Sequence, residues 1–118
     1  MSLNESIHVL TAENWEAEVL DAEGTVLVDF WADWCPPCRK LSPLVDELGP
    51  EYAGRVKVGK LDVDGSPEVA SRYGITSIPS LLVFRDGQVV AQRVGCLPRE
   101  ELREWLDTHA EAVTTAAR

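Results

Sequence analysis

The chain has 118 residues, 45% of them hydrophobic and 26% charged, which suits one domain with its own core and argues against disorder. Its 11 Lys and Arg stand against 20 Asp and Glu, a net charge of −9, so nucleic acid and anionic membranes are disfavoured as partners. Three cysteines, an odd number, argue against a secreted disulfide framework.

Taken in chain order, Ile7 to Leu10 is a short apolar run, and Thr11 after it has the chemistry of an N-cap. Trp15 and Val19, four apart, predict one face of a helix ending near Gly24. Val26-Leu27-Val28-Asp29-Phe30-Trp31 is almost wholly apolar and β-branched or aromatic, the pattern of a central strand buried on both faces. Leu41, Leu44, Val45 and Leu48 form a helical stripe that Pro43 is expected to kink and Gly49-Pro50 to close.

Arg55 to Val63 alternates as a strand, and Pro67 opens a short helix to Tyr73. Leu81–Phe84 and Val89–Ala91 flank an Asp86-Gly87 dipeptide, a strong hairpin signal. Pro98 opens a last helix with Leu102, Trp105 and Leu106 on one side. The predicted order is β-α-β-α-β-α-β-β-α, a mixed sheet covered by helices. No apolar run approaches the roughly 18–20 residues that span a bilayer. Met1 to Glu5 has neither the basic nor the apolar region of an export signal. The expectation is a single domain over 1–118 with a core at about 7–109. It is placed in a reducing cytoplasm, and 111–118 is expected to be a frayed tail.

Trp34-Cys35-Pro36-Pro37-Cys38 falls where the central strand gives way to a helix, the usual place for a site in an α/β fold. Residues i and i+3 in a first helical turn share a face, so the two sulfurs can meet within disulfide range. Cys35 sits at the positive end of the helix dipole, which lowers a thiol pKa and favours the thiolate nucleophile. Cys38 lies further in and is the more shielded. The chemistry that follows is thiol–disulfide exchange through a mixed disulfide. The competing reading, a structural zinc half-site, needs two more ligands. The candidates Cys96, His8 and His109 are scattered without a motif, and no metal is expected.

Two charges point towards the sheet interior. Asp29 interrupts the central strand with no turn or cap to explain it, and Lys60 shares a strand face with Val56 and Val58. A buried carboxylate beside a dithiol has the chemistry of a proton acceptor, moderated by a lysine. The alternative is that both side chains reach solvent at the sheet ends.

These residues resemble the thioredoxin family. The likeness rests on Phe30-Trp31-Ala32-Asp33-Trp34-Cys35-Pro36-Pro37-Cys38, Pro43, Lys60-Leu61-Asp62-Val63-Asp64, Tyr73-Gly74-Ile75, Ile78-Pro79 and Val94-Gly95. It runs from about Ile7 to His109. It implies an α/β thioredoxin fold, a central mixed sheet of about five strands flanked by four helices. It implies that Cys35 attacks, Cys38 resolves, Asp29 accepts the Cys38 proton and Lys60 partners Asp29. Trp31, Trp34, Pro36, Pro37, Ile78, Pro79 and Gly95 would form the substrate-binding surface, with Pro79 matching the family's cis-proline. Gly95 would let a substrate backbone approach closely.

Two departures stand out. Proline replaces the family's usual glycine at position 36, so Pro36 and Pro37 both lack an N–H, and the nearest amide donor left for the Cys35 sulfur is that of Cys38. Cys96 follows Gly95; its preferred reading is a buried small hydrophobe, and its alternative is an accessible third thiol. Ser77, Ser80 and Leu97-Pro98 are smaller departures.

The function expected is reduction of protein disulfides by the Cys35/Cys38 dithiol, with no cofactor beyond that redox-active pair. The expected partners are disulfide-containing client proteins and a flavin-dependent thioredoxin reductase, with no nucleic acid, no membrane and a monomeric state. A thioredoxin-fold oxidant or isomerase is one alternative. A binding or chaperone module with an incidental dithiol is another, opposed by the presence together of both cysteines, Asp29, Lys60 and Pro79.

Overall fold

In the computed structural model, which describes residues 6–116 and side chains as far as Ala110, the elements follow the predicted order. They are β1 (Ile7–Leu10), a π-helical turn (Glu16–Leu20), β2 (Thr25–Trp31), α1 (Pro36–Glu51), β3 (Val56–Asp62), α2 (Pro67–Arg72), β4 (Ser80–Arg85), β5 (Gln88–Val94) and α3 (Arg99–Ala116). The five strands form one sheet in the order β1-β3-β2-β4-β5. β1 and β2 both run parallel to β3, and β4 runs antiparallel to β2 and β5. This is the five-stranded mixed sheet with four helical segments that the sequence implied.

β2 lies at the centre because it is apolar on both faces. Period-2 alternation divides its side chains between two cores. Leu27 packs with Leu41, Val45 and Leu48 of α1 and with Leu102 and Leu106 of α3. Val26, Val28 and Phe30 pack on the other face with Trp15, Val19, Val69 and Phe84. Each such fully buried aliphatic or aromatic side chain contributes about 1.5–3 kcal/mol of transfer free energy. The alternation places Asp29 on the same face as Leu27, under α1.

The β4–β5 hairpin is the one its sequence dictates. Asp86 and Gly87 both take positive φ, 54° and 80°, the type I′ geometry that matches strand twist. Thr11 does not cap the helix: the helical segment starts at Glu16 with Trp15 at its N-cap and no side-chain capping bond. Thr11 instead closes the turn before it in a reciprocal pair, the Asn14 N–H donating to Thr11 Oγ1 at 3.3 Å and the Thr11 N–H donating to Asn14 Oδ1 at 2.7 Å.

One boundary differs from the sequence reading. The segment carrying Trp15 and Val19 winds as a π-turn closed by the Asp21 N–H on the Glu16 carbonyl at 2.8 Å, and it stops before Gly24. α1 ends at Glu51, beside the Gly49-Pro50 close that the sequence predicts. Its last turn is pinned by Tyr52, whose N–H donates to the Leu48 carbonyl at 2.8 Å and whose hydroxyl donates to Asp107 at 2.6 Å. That anchoring outweighs the helix-breaking tendency of Pro50. α3 carries the backbone to Ala116. In its side chains and its last two residues, the tail expected at 111–118 lies outside the described residues.

Candidate active site

The site begins where β2 ends. After Trp31 the chain turns, the Cys35 N–H donates to the Ala32 carbonyl at 3.2 Å, and α1 starts at Pro36. Proline at the first two helical positions is favourable, since its φ is already helical and those N–H groups have no intrahelical acceptor. Cys35 is the N-cap, and its sulfur accepts the Cys38 N–H at 3.2 Å. The amide expected to be the nearest donor to this sulfur is therefore the one bonded to it. Cys35 and Cys38 form a disulfide with a Cα–Cα separation of 5.2 Å. Both are buried, whereas Trp34 beside them is 64% exposed.

Three more segments converge on the disulfide. The Ile78–Pro79 peptide is cis, and the Ile78 carbonyl oxygen lies 3.7 Å from Cys35 Sγ. The Gly95 N–H donates to the Pro79 carbonyl at 2.8 Å, tying the end of β5 to this loop. Gly95 has φ +97°, a conformation that favours glycine, and a Cβ built there meets nothing within 4 Å. Its glycine is thus required by the backbone turn, and the space above it is open to an approaching chain. Trp34 Nε1 donates to Asp64 Oδ2 at 2.8 Å, and the half-buried Trp31 accepts the Val63 N–H on its carbonyl at 2.9 Å. Pro36 and Pro37 are exposed on the same rim. The Arg39 guanidinium donates to the Asp33 carbonyl.

Asp29 is buried, and its Oδ1 has no hydrogen-bond partner among the described residues. Burial pushes its carboxyl from an ordinary 3.8 up to about 7; the Lys60 ammonium opposes that rise and the Asp46 carboxylate adds to it. Lys60 is the direct neighbour of Asp29 in the β2–β3 register. Its ammonium, however, reaches α1, donating to Ser42 Oγ at 2.6 Å and to Asp46 Oδ1 at 2.7 Å. Lys60 thus acts on Asp29 through space rather than by a direct bond. Ser42 and Asp46 escaped the sequence reading, although their spacing of four and eight from Cys38 places them on one row of α1.

Cys96 corrects an expectation. It is exposed, not a buried hydrophobe, because the chain leaves the sheet at Gly95 and the next core position goes to Leu97. Among the described residues, no group of three or more His, Cys, Asp or Glu is placed to hold a metal ion. No described helix is long and apolar enough to cross a membrane.

A disulfide between cysteines three apart at the start of a helix, at the carboxyl end of a central strand, defines a dithiol–disulfide oxidoreductase whose redox group is intrinsic. The chain matches the thioredoxin family model over residues 6–108. It is 54% identical over 97 residues to Thioredoxin C-2 of Corynebacterium nephridii, covering 82% of this chain and 90% of that protein. It is 48% identical over 100 residues to Thioredoxin 1 of Nostoc sp., covering 85% and 94%. It is 41% identical over 107 residues to the thioredoxin of Pseudomonas aeruginosa, covering 91% and 99%. The chain belongs to the thioredoxin family. Its activity is accordingly that of a protein-disulfide reductase.

Proposed function

We propose that Cys35-Pro36-Pro37-Cys38 is the active-site motif and that the reaction proceeds in two exchanges. The Cys35 thiolate attacks one sulfur of a client disulfide. A Cys35–client mixed disulfide forms, and the client's other sulfur leaves as a thiolate that takes up a proton. Cys38 then passes its proton to Asp29 and attacks the Cys35 sulfur. The Cys35–Cys38 disulfide closes and the second client thiol is released. Two electrons have moved from the dithiol to the client, and a flavin-dependent thioredoxin reductase returns two to the disulfide.

In this reading Asp29 serves as proton acceptor because desolvation brings its carboxyl near neutrality. Lys60 moderates it. Trp31, Trp34, Pro36, Pro37, Ile78, Pro79 and Gly95 form the surface on which the client chain lies. The exposed indole of Trp34 supplies apolar contact. The Ile78 carbonyl beside Cys35 and the open face of Gly95 supply room and backbone polarity for an extended segment. The protein acts as a monomer in a reducing cytoplasm, with no cofactor beyond its own dithiol.

The observation that carries the reading is the Cys35–Cys38 disulfide at the N-terminus of α1, against the backbone of Ile78. Insulin-disulfide reduction with dithiothreitol tests it. Wild type accelerates the reaction over the reductant alone, and Cys38→Ser abolishes turnover. Equal rates with and without the wild-type protein would favour a binding module instead.

A further inference from the structure

Lys60 is placed beside Asp29 by the strand register, yet its ammonium lies elsewhere. A buried carboxyl with an unpartnered oxygen is the obvious destination for that ammonium. The lysine instead spends its donors on Ser42 Oγ at 2.6 Å and Asp46 Oδ1 at 2.7 Å. Cys38, Ser42 and Asp46 are spaced by four, so they stack as one row along α1. The ammonium is therefore fixed to the helix that carries the resolving cysteine, one turn beyond it. The charged groups that act on Asp29 are Lys60 from β3 and Asp46 from α1; Cys38, on the same row of α1, is held in the disulfide. β4 sets the apolar Leu81 beside Asp29.

We propose that Ser42 and Asp46 are positioning residues that anchor the Lys60 ammonium on α1 and so keep it from closing an ion pair with Asp29. The inference rests on Asp29 being the proton acceptor for Cys38. A direct Lys60–Asp29 pair would hold the carboxyl in its ionised form, lowering its affinity for the proton it must take. With the ammonium anchored one turn away, Lys60 tempers the burial of Asp29 without neutralising it, and the carboxyl stays poised to exchange a proton near neutral pH. Asp46 does two things at once: it holds the lysine, and it adds a negative charge that favours the protonated form of Asp29.

The test is a carboxyl-carbon NMR titration of Asp29 in the oxidised protein, paired with the pH profile of insulin reduction. Asp46→Asn is expected to lower the Asp29 midpoint by about one pH unit, a tenfold shift in its proton equilibrium. Asp46→Glu restores most of it, which a merely structural role would not require. In a Lys60→Met background, Asp46→Asn shifts the midpoint by less than half as much, because no ammonium remains to be released. The proposal is overturned if Asp46→Asn leaves the midpoint unchanged. It is equally overturned if the shift is as large without Lys60, since the carboxylate would then act only by its own charge. Asp29→Asn with a wild-type pH profile of insulin reduction would overturn the proton-acceptor reading itself, whatever the midpoints.

Discussion

Replacing Asp29 with asparagine removes one buried ionisable group and keeps its shape. In the wild type the carboxyl is pushed up from 3.8 to about 7, chiefly by burial. The folded value lies above the unfolded one, so below about pH 4 both states hold the proton and the folded protein loses nothing. As pH rises, the unfolded chain releases that proton while the folded chain keeps it. Stability then falls by about 1.4 kcal/mol per pH unit. The fall ends near pH 7, where the folded carboxyl also ionises. Over roughly three pH units this amounts to about 4 kcal/mol. The amide of asparagine carries its own unmatched N–H groups, which cost about 1–3 kcal/mol at every pH. Asp29→Asn is therefore expected to be less stable than wild type at pH 4 and more stable at pH 8. The difference between them should climb by about 4 kcal/mol across that interval. Guanidinium unfolding of both oxidised proteins from pH 4 to 8 measures it. A difference that stays flat with pH would refute the reasoning, because Asp29 would then ionise alike in the folded and unfolded chains.

Pro36→Gly adds an amide donor in the first turn beside the Cys35 sulfur and is expected to lower the Cys35 thiol pKa by roughly half a unit to one unit. A pH titration of thiol alkylation that shows no change would sink this. In the oxidised wild type, exposed Cys96 is the one free thiol, so a chromogenic disulfide reagent should titrate one thiol per chain, and none in Cys96→Ser. Leu41→Ala empties a fully buried position on the core face of α1 and should cost about 2–5 kcal/mol, read from the denaturant midpoint with the slope unchanged.

What was legible in the sequence was what local chemistry decides. The apolar run Val26–Trp31 has no polar face to give to solvent, so its central place follows. Asp86-Gly87 supplies the two positive φ values that a tight hairpin needs. The cysteine spacing and the prolines after Cys35 set the disulfide at a helix start. The less legible features depend on tertiary partners. The helix end near Gly49-Pro50 is legible, but the Tyr52–Asp107 bond that anchors it spans 55 residues of sequence. The π-winding of Glu16–Leu20 keeps Trp15 and Val19 in the core, and no residue in that stretch announces it. Strand alternation places Lys60 on the face of Val56 and Val58, but its attachment to Ser42 and Asp46 depends on how α1 crosses β3. For Cys96, residue type alone suggests a small buried hydrophobe, whereas Val94 before it is exposed on the edge strand and only Leu97 after it turns inward.

The central claim is that Cys35 attacks and Cys38 resolves, and trapping the intermediate tests it most directly. A Cys38→Ser, Cys96→Ser double variant is reduced, mixed with a peptide containing one disulfide, and weighed by mass spectrometry. A stable adduct of one peptide chain is expected, mapped to Cys35 and released by dithiothreitol. The reciprocal Cys35→Ser, Cys96→Ser variant should form little. Equal adduct at Cys38, or none at Cys35, would show that Cys35 is not the attacking thiol.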